Sequence, residues 1–301
     1  VTCVVRNGED YDSRTTPFDT DVQYVARFPG ELGNSLRVSV CDSVTAYEST
    51  IDLIGEQSGN TITGSLSISV GSNVAVLDFL TSDSAAAANA YANTVINQLS
   101  VGDLIKIGNS SLGTQYLRIS SVGSLSTNTT HATVNVSFTD SNKLAANFTV
   151  SNSVNGNTTV ASITRNWEYF NVVDAAPGTS DWVATYGGNT SAVDLMHVVV
   201  VDADGRFSGV SGTVLEVFES VSRATDAKSA GGASLYYKNV INQGSKYVWW
   251  ANDRSNALSN TAQNVASSTN VKPLTLDFIG GQDGNDESSV AITELATAYD
   301  L

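Results

Sequence analysis

The sequence has few of the residues that carry most enzyme chemistry. Its 301 residues include two histidines, two cysteines, one methionine and four prolines. Only 15% of the residues are charged, against roughly 25% in typical domains. The two cysteines, Cys3 and Cys41, are too few for a disulfide framework, so one bridge and two free thiols both stay open. Such sparse cysteine favours a reducing compartment.

Positive charge is also scarce. Fifteen lysines and arginines face thirty acidic residues, which gives a net charge of −15. The chain shows no basic stripe, so a nucleic acid partner is not expected. No apolar run reaches ~18 residues and no signal peptide is recognisable, so no insertion into a membrane is predicted.

Motifs of catalysis or nucleotide binding are absent as well, namely a nucleophile elbow, a Walker loop, a dinucleotide fingerprint and zinc spacing. His131 and His197 lack cysteine or carboxylate partners at ligand spacing, so both are predicted to be structural. Gly280–Gly284 has no P-loop lysine and lies beside carboxylates that repel phosphate, which favours a tight turn. We therefore predict no enzyme, no cofactor and no metal, and assign no catalytic, cofactor-binding or metal-ligating residue.

Several weaker patterns favour structural roles. Four aspartates near the start lack the spacing of a calcium loop: Asp10, Asp12, Asp19 and Asp21. Adjacent residues of a strand point to opposite faces, so one residue each of Tyr236-Tyr237 and Trp249-Trp250 is predicted to be core, not a sugar platform. Six glycosylation sequons are expected by chance in such a chain: Asn109, Asn128, Asn135, Asn147, Asn157 and Asn189.

The stretch 28–40 organises the chain. Pro29 and Gly30 predict a type II turn. Apolar and polar residues then alternate from Leu36 to Val40, which is the period of a half-buried strand. This turn and strand are predicted to begin the core of a β-rich domain.

The second half contains longer elements than the middle. Leu195–Val201 is a continuous apolar run, which predicts a strand buried on both faces. The other predictions are a return strand at Val214–Phe218, a helix at Leu235–Ile241 ended by Gly244, a strand at Tyr247–Trp250, a polar surface loop at 252–272 and a strand at Leu274–Phe278.

Residues 49–164 differ in character, being rich in Ser, Thr, Asn and Gly. Five or six short strands and one helix, with an apolar stripe from Ala85 to Leu99, predict a small β-barrel or β-sandwich. Asn155-Gly156 predicts a hairpin turn, and Ser82-Asp83-Ser84 a helix cap. The fold class is α+β, β-rich. Its domains are a mixed α/β sheet domain with short helices, residues 1–48 and 165–301, and the inserted domain, residues 49–164.

The two ends of the sequence predict a piece of a longer protein. Val1 is not an initiator methionine. Asp286-Glu287-Ser288-Ser289 is typical of a helix start, and the helical pattern continues to Leu301 without a C-cap.

Four stretches resemble the tail sheath proteins of contractile-tailed, T4-like bacteriophages, and they occur in that family's order. They are Phe28–Asn34, Ala175–Ser180, His197–Gly205 and Leu276–Gly284. The hairpin, helix and strand between residues 214 and 250 also fit the family's pattern. The resemblance covers residues 1–48 and 165–301, whereas residues 49–164 match no family motif.

The resemblance implies a structural virion protein without enzyme activity. Such sheaths stack as hexameric rings around the tail tube, meet baseplate and tail terminator proteins, and contract to drive the tube through the host envelope. The resemblance also implies that the protein is located in the phage tail after synthesis in the host bacterial cytoplasm. It further implies that residues 49–164 form a variable outer domain. The family's chain ends carry inter-subunit arms, so this piece alone is expected to be monomeric.

Two alternatives stay open at this point. The polar β-rich composition is also typical of a carbohydrate-binding or adhesin module on an extracellular or virion surface. A glycoside hydrolase needs two carboxylates near each other, and thirty acidic residues supply such pairs by chance.

Overall fold

The structure is a computed structural model of the chain, and it describes residues 5, 7–81, 85–109, 113–139, 144, 146–151, 153–155 and 158–283. Strands predominate over short helices, which confirms the predicted α+β, β-rich class. The helices are α1 (Gly8–Asp12), α2 (Val44–Tyr47), α3 (Ala85–Ile96) and α4 (Tyr237–Gly244). The strands are β1 (Tyr24–Ala26), β2 (Leu36–Cys41), β3 (Glu48–Asp52), β4 (Ile54–Gln57), β5 (Asn60–Ile68), β6 (Val74–Leu80), β7 (Leu104–Asn109), β8 (Gly113–Val122), β9 (Ser126–Thr127), β10 (His131–Phe138), β11 (Phe148–Val150), β12 (Ser153–Asn155), β13 (Thr158–Val160), β14 (Ser162–Asn166), β15 (Leu195–Asp202), β16 (Thr213–Ser222), β17 (Val248–Trp250) and β18 (Leu274–Asp277).

Four antiparallel strands form what we call the core sheet, in the order β16-β15-β2-β18. Strand β15 is almost entirely buried, as its apolar run predicts, and its hairpin with β16 is confirmed. The prediction that β2 is half-buried is wrong, because Ser39 and Cys41 on its second face are also buried. Trp167 covers that face, and its Nε1 donates to Ser39 Oγ at 2.8 Å.

Apolar clusters cover both faces of the core sheet. On one face, Val40 and Val198 pack with Ile241 of α4. On the other face, Val199 packs with Trp167. The sheet is therefore a central layer, and its ends are where loops meet.

The opening turn differs from its prediction. Gly30 has φ +77° and ψ −164° and precedes a single 3₁₀ turn at Glu31–Ser35. A type II turn needs a ψ close to zero at that glycine. The predicted strand after the turn is confirmed as β2.

Two predictions in the second half need correction. The helix predicted at Leu235–Ile241 begins two residues later, and Gly244 is its last residue, with Ser245 at the C-cap. The stretch 252–272 is not only a surface loop, because Ala262 and Val265 are buried in an apolar cluster with Val183.

Strands between residues 48 and 166 pair in the path β4-β5-β6-β10-β8-β7-β14-β3. Because Leu53 alone separates β3 from β4, the path returns to its start, which is the pairing of a barrel. A barrel was one of the two predicted architectures, but the structure has more strands than the predicted five or six. The helix stripe is confirmed in α3, where Ala88, Ala92 and Val95 join the barrel's apolar core.

Local predictions for the part of the chain before β14 have mixed outcomes. A hairpin is present near the predicted position, since β12 and β13 pair with Asn155 opposite Thr158. Asn7 caps helix α1, since its side chain accepts a hydrogen bond from Asp10 N. Cys41 is a buried free thiol, and burial raises its pKa. Other predicted features lie outside the described residues: Cys3, the cap at 82–84 and the helix at 286–301.

The predicted domain limits, 1–48 with 165–301 and 49–164, stay a prediction. The barrel's apolar core cluster consists of residues between Ile51 and Ile163. Across the described ranges, none of the helices has the length and hydrophobicity needed to span a bilayer.

Candidate assembly site

Three of the four stretches that carry the family resemblance meet at one end of the core sheet. Strand β2 begins there while β15 and β18 end there, since Leu36 pairs with Asp202 and Arg37 with Asp277. We call this region the corner; it comprises residues 28–35, 202–212 and 278–283.

A buried carboxylate organises the corner. Asp202 accepts hydrogen bonds from Ser35 Oγ at 2.6 Å and from Ser208 Oγ at 2.8 Å. It also accepts from the backbone nitrogens of Gly205, Phe207 and Ser208 at 3.0, 2.9 and 2.7 Å. Burial alone would raise the pKa of Asp202, but these hydrogen bonds outweigh it and lower the pKa to about 2. The carboxylate thus fixes the loop after β15 to the 3₁₀ turn before β2.

The third loop joins by backbone contact. Asn34 and Gly281 exchange two hydrogen bonds, each 2.8 Å long. Glu31 N donates to Asp283 Oδ1 at 2.8 Å. A Cβ on Gly281 would lie 2.1 Å from the carbonyl oxygen of Gly30, so the glycine permits this approach.

The fourth stretch meets the opposite end of β15. His197 Nδ1 accepts from Ser220 N at 3.0 Å, so Nε2 carries the proton that is donated to Ala175 O at 2.9 Å. Burial lowers the pKa of His197, in keeping with a neutral ring. Asp194 Oδ1 accepts from Ser180 N at 2.8 Å. The His197 ring thus links Ala175 to Ser220.

Each loop of the corner also carries an exposed apolar side chain. Leu32, Val210 and Ile279 are 36%, 66% and 87% exposed. The hydrogen bonds beneath them hold the loops in place, and the corner's polar groups bond to one another. The corner thus has one exposed apolar side chain on each of three loops that hydrogen bonds join to one another.

The predicted structural residues lie apart from one another. His131 Nδ1 is 2.9 Å from Asp78 Oδ1 on the barrel surface. Asp10 and Asp12 lie in helix α1. No group of three or more candidate metal ligands occurs within the part of the chain that the structure describes.

The paired aromatic residues pack as predicted for tyrosine. Tyr237 is buried and Tyr236 is partly exposed. Trp250 packs against the core and donates from Nε1 to Tyr237 Oη at 2.6 Å. Trp249 stacks on Tyr11, with ring centroids 5.1 Å apart. Both tryptophan rings therefore have intramolecular partners.

Three sequon asparagines accept backbone hydrogen bonds: Asn128 and Asn189 in local turns, and Asn147 from a residue 77 positions away. Asn128 Oδ1 accepts from His131 N at 2.8 Å, Asn147 Oδ1 from Val70 N at 2.8 Å and Asn189 Oδ1 from Ser191 N at 3.0 Å. Such contacts are typical of asparagine in loops.

Sequence reasoning missed the buried charged residues. Asp202, Arg165 and Arg223 are all at most 1% exposed. An aspartate that ends an apolar strand and is followed by glycine and serine predicts a carboxylate-bonded turn, so Asp202 could have been found. The two arginines lie in stretches without such a signal.

No protein-family model, curated protein or solved structure matches the chain. The corner's geometry and the sequence resemblance are therefore the basis for a function.

Proposed function

We propose that this chain is part of a contractile tail sheath subunit. In this proposal the subunit polymerises helically around a tail tube, with baseplate and tail terminator proteins at the ends. Contraction drives the tube through the host envelope. The protein would then reside in the virion and act without enzyme chemistry.

The observation that supports this proposal is the joint placement of the four resembling stretches. Glycine turns are common one by one, but here Phe28–Asn34 bonds directly to Leu276–Gly284, and Ser35, the next residue, bonds to Asp202 of the third stretch. The fourth stretch bonds to the far end of β15. Residues far apart in the sequence, such as Asn34 and Gly281, form reciprocal hydrogen bonds. The resembling residues therefore form one structural unit rather than scattered loops.

The unit suits a repeating contact between subunits. A surface that meets a different surface on the next copy, without closing a ring, generates a helix of subunits. The exposed side chains of Leu32, Val210 and Ile279 supply apolar area for such a contact. A lattice built this way can store free energy in contacts that rearrange on contraction.

A surface variant tests the proposal. Ile279→Asp places a charge at an 87% exposed position, so the fold should persist while assembly weakens. Sedimentation velocity of the full-length protein should show large assemblies for the wild type. The amount of assembled protein should be at least tenfold lower for this variant. Leu258→Asp, at a 64% exposed position in the loop 252–272, is the matched control and should assemble normally.

The alternative function is a carbohydrate-binding or adhesin module. A groove of about 480 Å³ on the barrel is lined by several residues that carry polar side chains, among them Thr114, Ser162, Thr164 and Lys106. This volume is within the range of small-ligand sites. Phe148 at the groove is buried and does not offer a ring for stacking on a sugar. A glycan screen that finds a specific ligand, lost in Thr164→Val, would favour this alternative over the sheath.

A further inference from the structure

The most exposed aromatic ring of the described residues lies on a short π-helical turn, Val183–Gly187. Tyr186 is 59% exposed, against 38% for Tyr116, the next most exposed tyrosine. Its ring packs against the indole of Trp182, with ring centroids 4.2 Å apart and an angle of 41° between the planes. The tryptophan thus supports the tyrosine from one side, while more than half of the tyrosine side chain stays in contact with solvent.

Close packing holds the backbone beneath this ring pair. Val183 is buried in one apolar cluster with Ala262, and a Cβ on Gly187 would lie 2.2 Å from Ala262 O. Ser180 accepts two hydrogen bonds at the start of the turn: Val183 N donates to its Oγ at 3.2 Å, and Ala184 N donates to its carbonyl oxygen at 3.0 Å. The backbone is therefore preorganised, which lowers the entropy cost of binding a ligand.

Polar groups without partners accompany the two rings. Asp181 and Thr185 are exposed, and they lie on the same side of the turn because they are four positions apart on a helical backbone. Among the described residues, neither of these side chains nor Tyr186 Oη has a hydrogen-bond partner. Trp182 Nε1 is enclosed and has no partner in that part of the chain either. A buried donor without a partner is rare, so this turn differs from the corner, where the polar groups bond to one another.

The arrangement suits a sugar. A pyranose ring presents C–H groups on its faces and hydroxyl groups around its edge, so a face can lie on the apolar surface of tyrosine. The edge hydroxyls then need acceptors and donors. The Asp181 carboxylate accepts hydrogen bonds, and the Thr185 hydroxyl both donates and accepts. Because the Asp181 carboxylate repels anions, a neutral sugar fits better than an acidic one.

A protein partner fits this turn less well. A specific protein interface buries about 1,000 Å² or more around an apolar centre. The exposed residues around Tyr186 are polar or glycine: Asp181, Thr185, Gly188, Asn189, Thr190 and Ser191. A docking protein would therefore find one aromatic ring and little other apolar area.

We propose that the turn of residues 181–187 binds a neutral sugar, with the sugar ring on Tyr186 and sugar hydroxyls bonded to Asp181 and Thr185. The site shares no residue with the corner or with the groove on the barrel. It does not depend on the proposed sheath function.

Titration of the 301-residue chain with neutral oligosaccharides tests the site. The probes are cellopentaose, maltopentaose, mannopentaose and chitopentaose. Each is added to about 10 mM, because a site built on one exposed ring is expected to have a dissociation constant of about 1 mM. The readout is the set of indole N–H signals in a heteronuclear NMR spectrum. The four tryptophans give four signals, and the signal that is missing in Trp182→Phe belongs to Trp182.

We expect at least one pentasaccharide to shift the Trp182 signal in a saturable manner and to leave the other three signals in place. Tyr186→Ala should weaken this binding about tenfold, whereas Tyr186→Phe keeps the ring and should bind like the wild type. Asp181→Asn should weaken it about fivefold, because it removes a charged acceptor. Tyr116→Ala removes an exposed tyrosine elsewhere, so it is the matched control and should bind like the wild type.

Any of three outcomes would overturn the proposal. In the first, none of the pentasaccharides shifts the Trp182 signal. In the second, Tyr186→Ala binds as tightly as the wild type and Thr164→Val does not bind, which would place the sugar in the groove on the barrel. In the third, no sugar binds and Tyr186→Ala abolishes assembly, which would make the turn a protein contact. Sugar binding and tube formation are measured separately, so either proposal can fail alone.

Discussion

At the scale of single residues, buried polar side chains determine how distant loops meet. Asp202 joins two loops through one carboxylate, and Asn34 joins a third through its amide. In each contact, several donors or acceptors of the protein take the place of the water molecules that would otherwise bond to the side chain. Losing one partner leaves the others buried and unsatisfied, which costs more than the bond itself contributed.

Replacing Asp202 by asparagine should destabilise the fold by about 3 kcal/mol. The asparagine amide would turn an NH₂ group towards donors that now face a carboxylate oxygen. Urea unfolding followed by tryptophan fluorescence measures the loss. Asp204→Asn, at an exposed position two residues away, is the control and should change stability little. An unchanged urea midpoint for Asp202→Asn would contradict the described role.

The same carboxylate predicts a pH dependence. Because the folded protein holds the pKa of Asp202 at about 2, below the ordinary 3.8, its contribution is present above about pH 4. That contribution is lost as pH falls through 2, when the folded carboxylate becomes protonated. The free energy of unfolding should fall less between pH 4 and 2 in Asp202→Asn than in the wild type. Equal slopes for the two proteins would argue against this assignment.

Gly281→Ala should destabilise the corner by about 2 kcal/mol, since the added Cβ overlaps a backbone carbonyl that cannot rotate away. The overlap is with Gly30 O, at 2.1 Å. Gly178→Ala is the matched control, because its Cβ would meet open space. We expect its thermal midpoint to stay the same or rise slightly. Equal effects of the two substitutions would show that the loops do not pack as described.

At the scale of elements, the periodicity of apolar residues in the sequence predicted the helices and strands whose burial follows a regular pattern. Strand β10 shows the expected alternation of buried residues, strand β15 the expected buried apolar run, and helix α3 the expected apolar stripe. The prediction that β2 is half-buried was wrong, because Ser39 is buried against Trp167, a partner 128 positions away. Strands β3 and β4 were not predicted, since they are short and form one bent strand around Leu53. Whether such short strands form depends on long-range pairing, and the local sequence carries little information about that pairing.

Helix α3 gives a prediction at this scale. Ala88 is fully buried in the barrel core. Ala88→Leu should therefore overpack this core and lower the free energy of unfolding by roughly 2 kcal/mol. Ala86 lies on the exposed side of the same helix. Ala86→Leu is the matched control, and its effect should stay within roughly 0.5 kcal/mol.

The same pair of variants tests the predicted domain division. All four tryptophans lie outside residues 49–164. If the barrel is a separate domain, Ala88→Leu shifts part of the circular dichroism transition and leaves the tryptophan transition in place. A shift of both transitions together would contradict the predicted division.

At the scale of the whole molecule, a barrel inserted before Trp167 accompanies a core sheet whose strands come from both sides of that insertion. The change in composition at residues 49–164 predicted a separate inserted domain, and that division stays a prediction. The sequence did not allow the corner to be predicted, because nothing local shows that residues 28–35 meet residues 202–212. Nor did it indicate that Arg165, within strand β14, is fully buried. Contacts between distant loops are set by topology, which the pattern of single elements leaves open.

The net charge of −15 bears on assembly as well. Like-charged subunits repel one another over about 10 Å at 0.1 M salt. Assembly through apolar side chains such as Ile279 therefore has to overcome this repulsion, and salt should favour it.

Electron microscopy of the gene-encoded protein, at low and high salt, tests the central claim most directly. We predict long striated tubes built of stacked six-fold rings, more abundant at high salt and scarce in Ile279→Asp. A protein that stays monomeric under both conditions and binds a specific glycan would contradict the sheath assignment and favour the adhesin alternative.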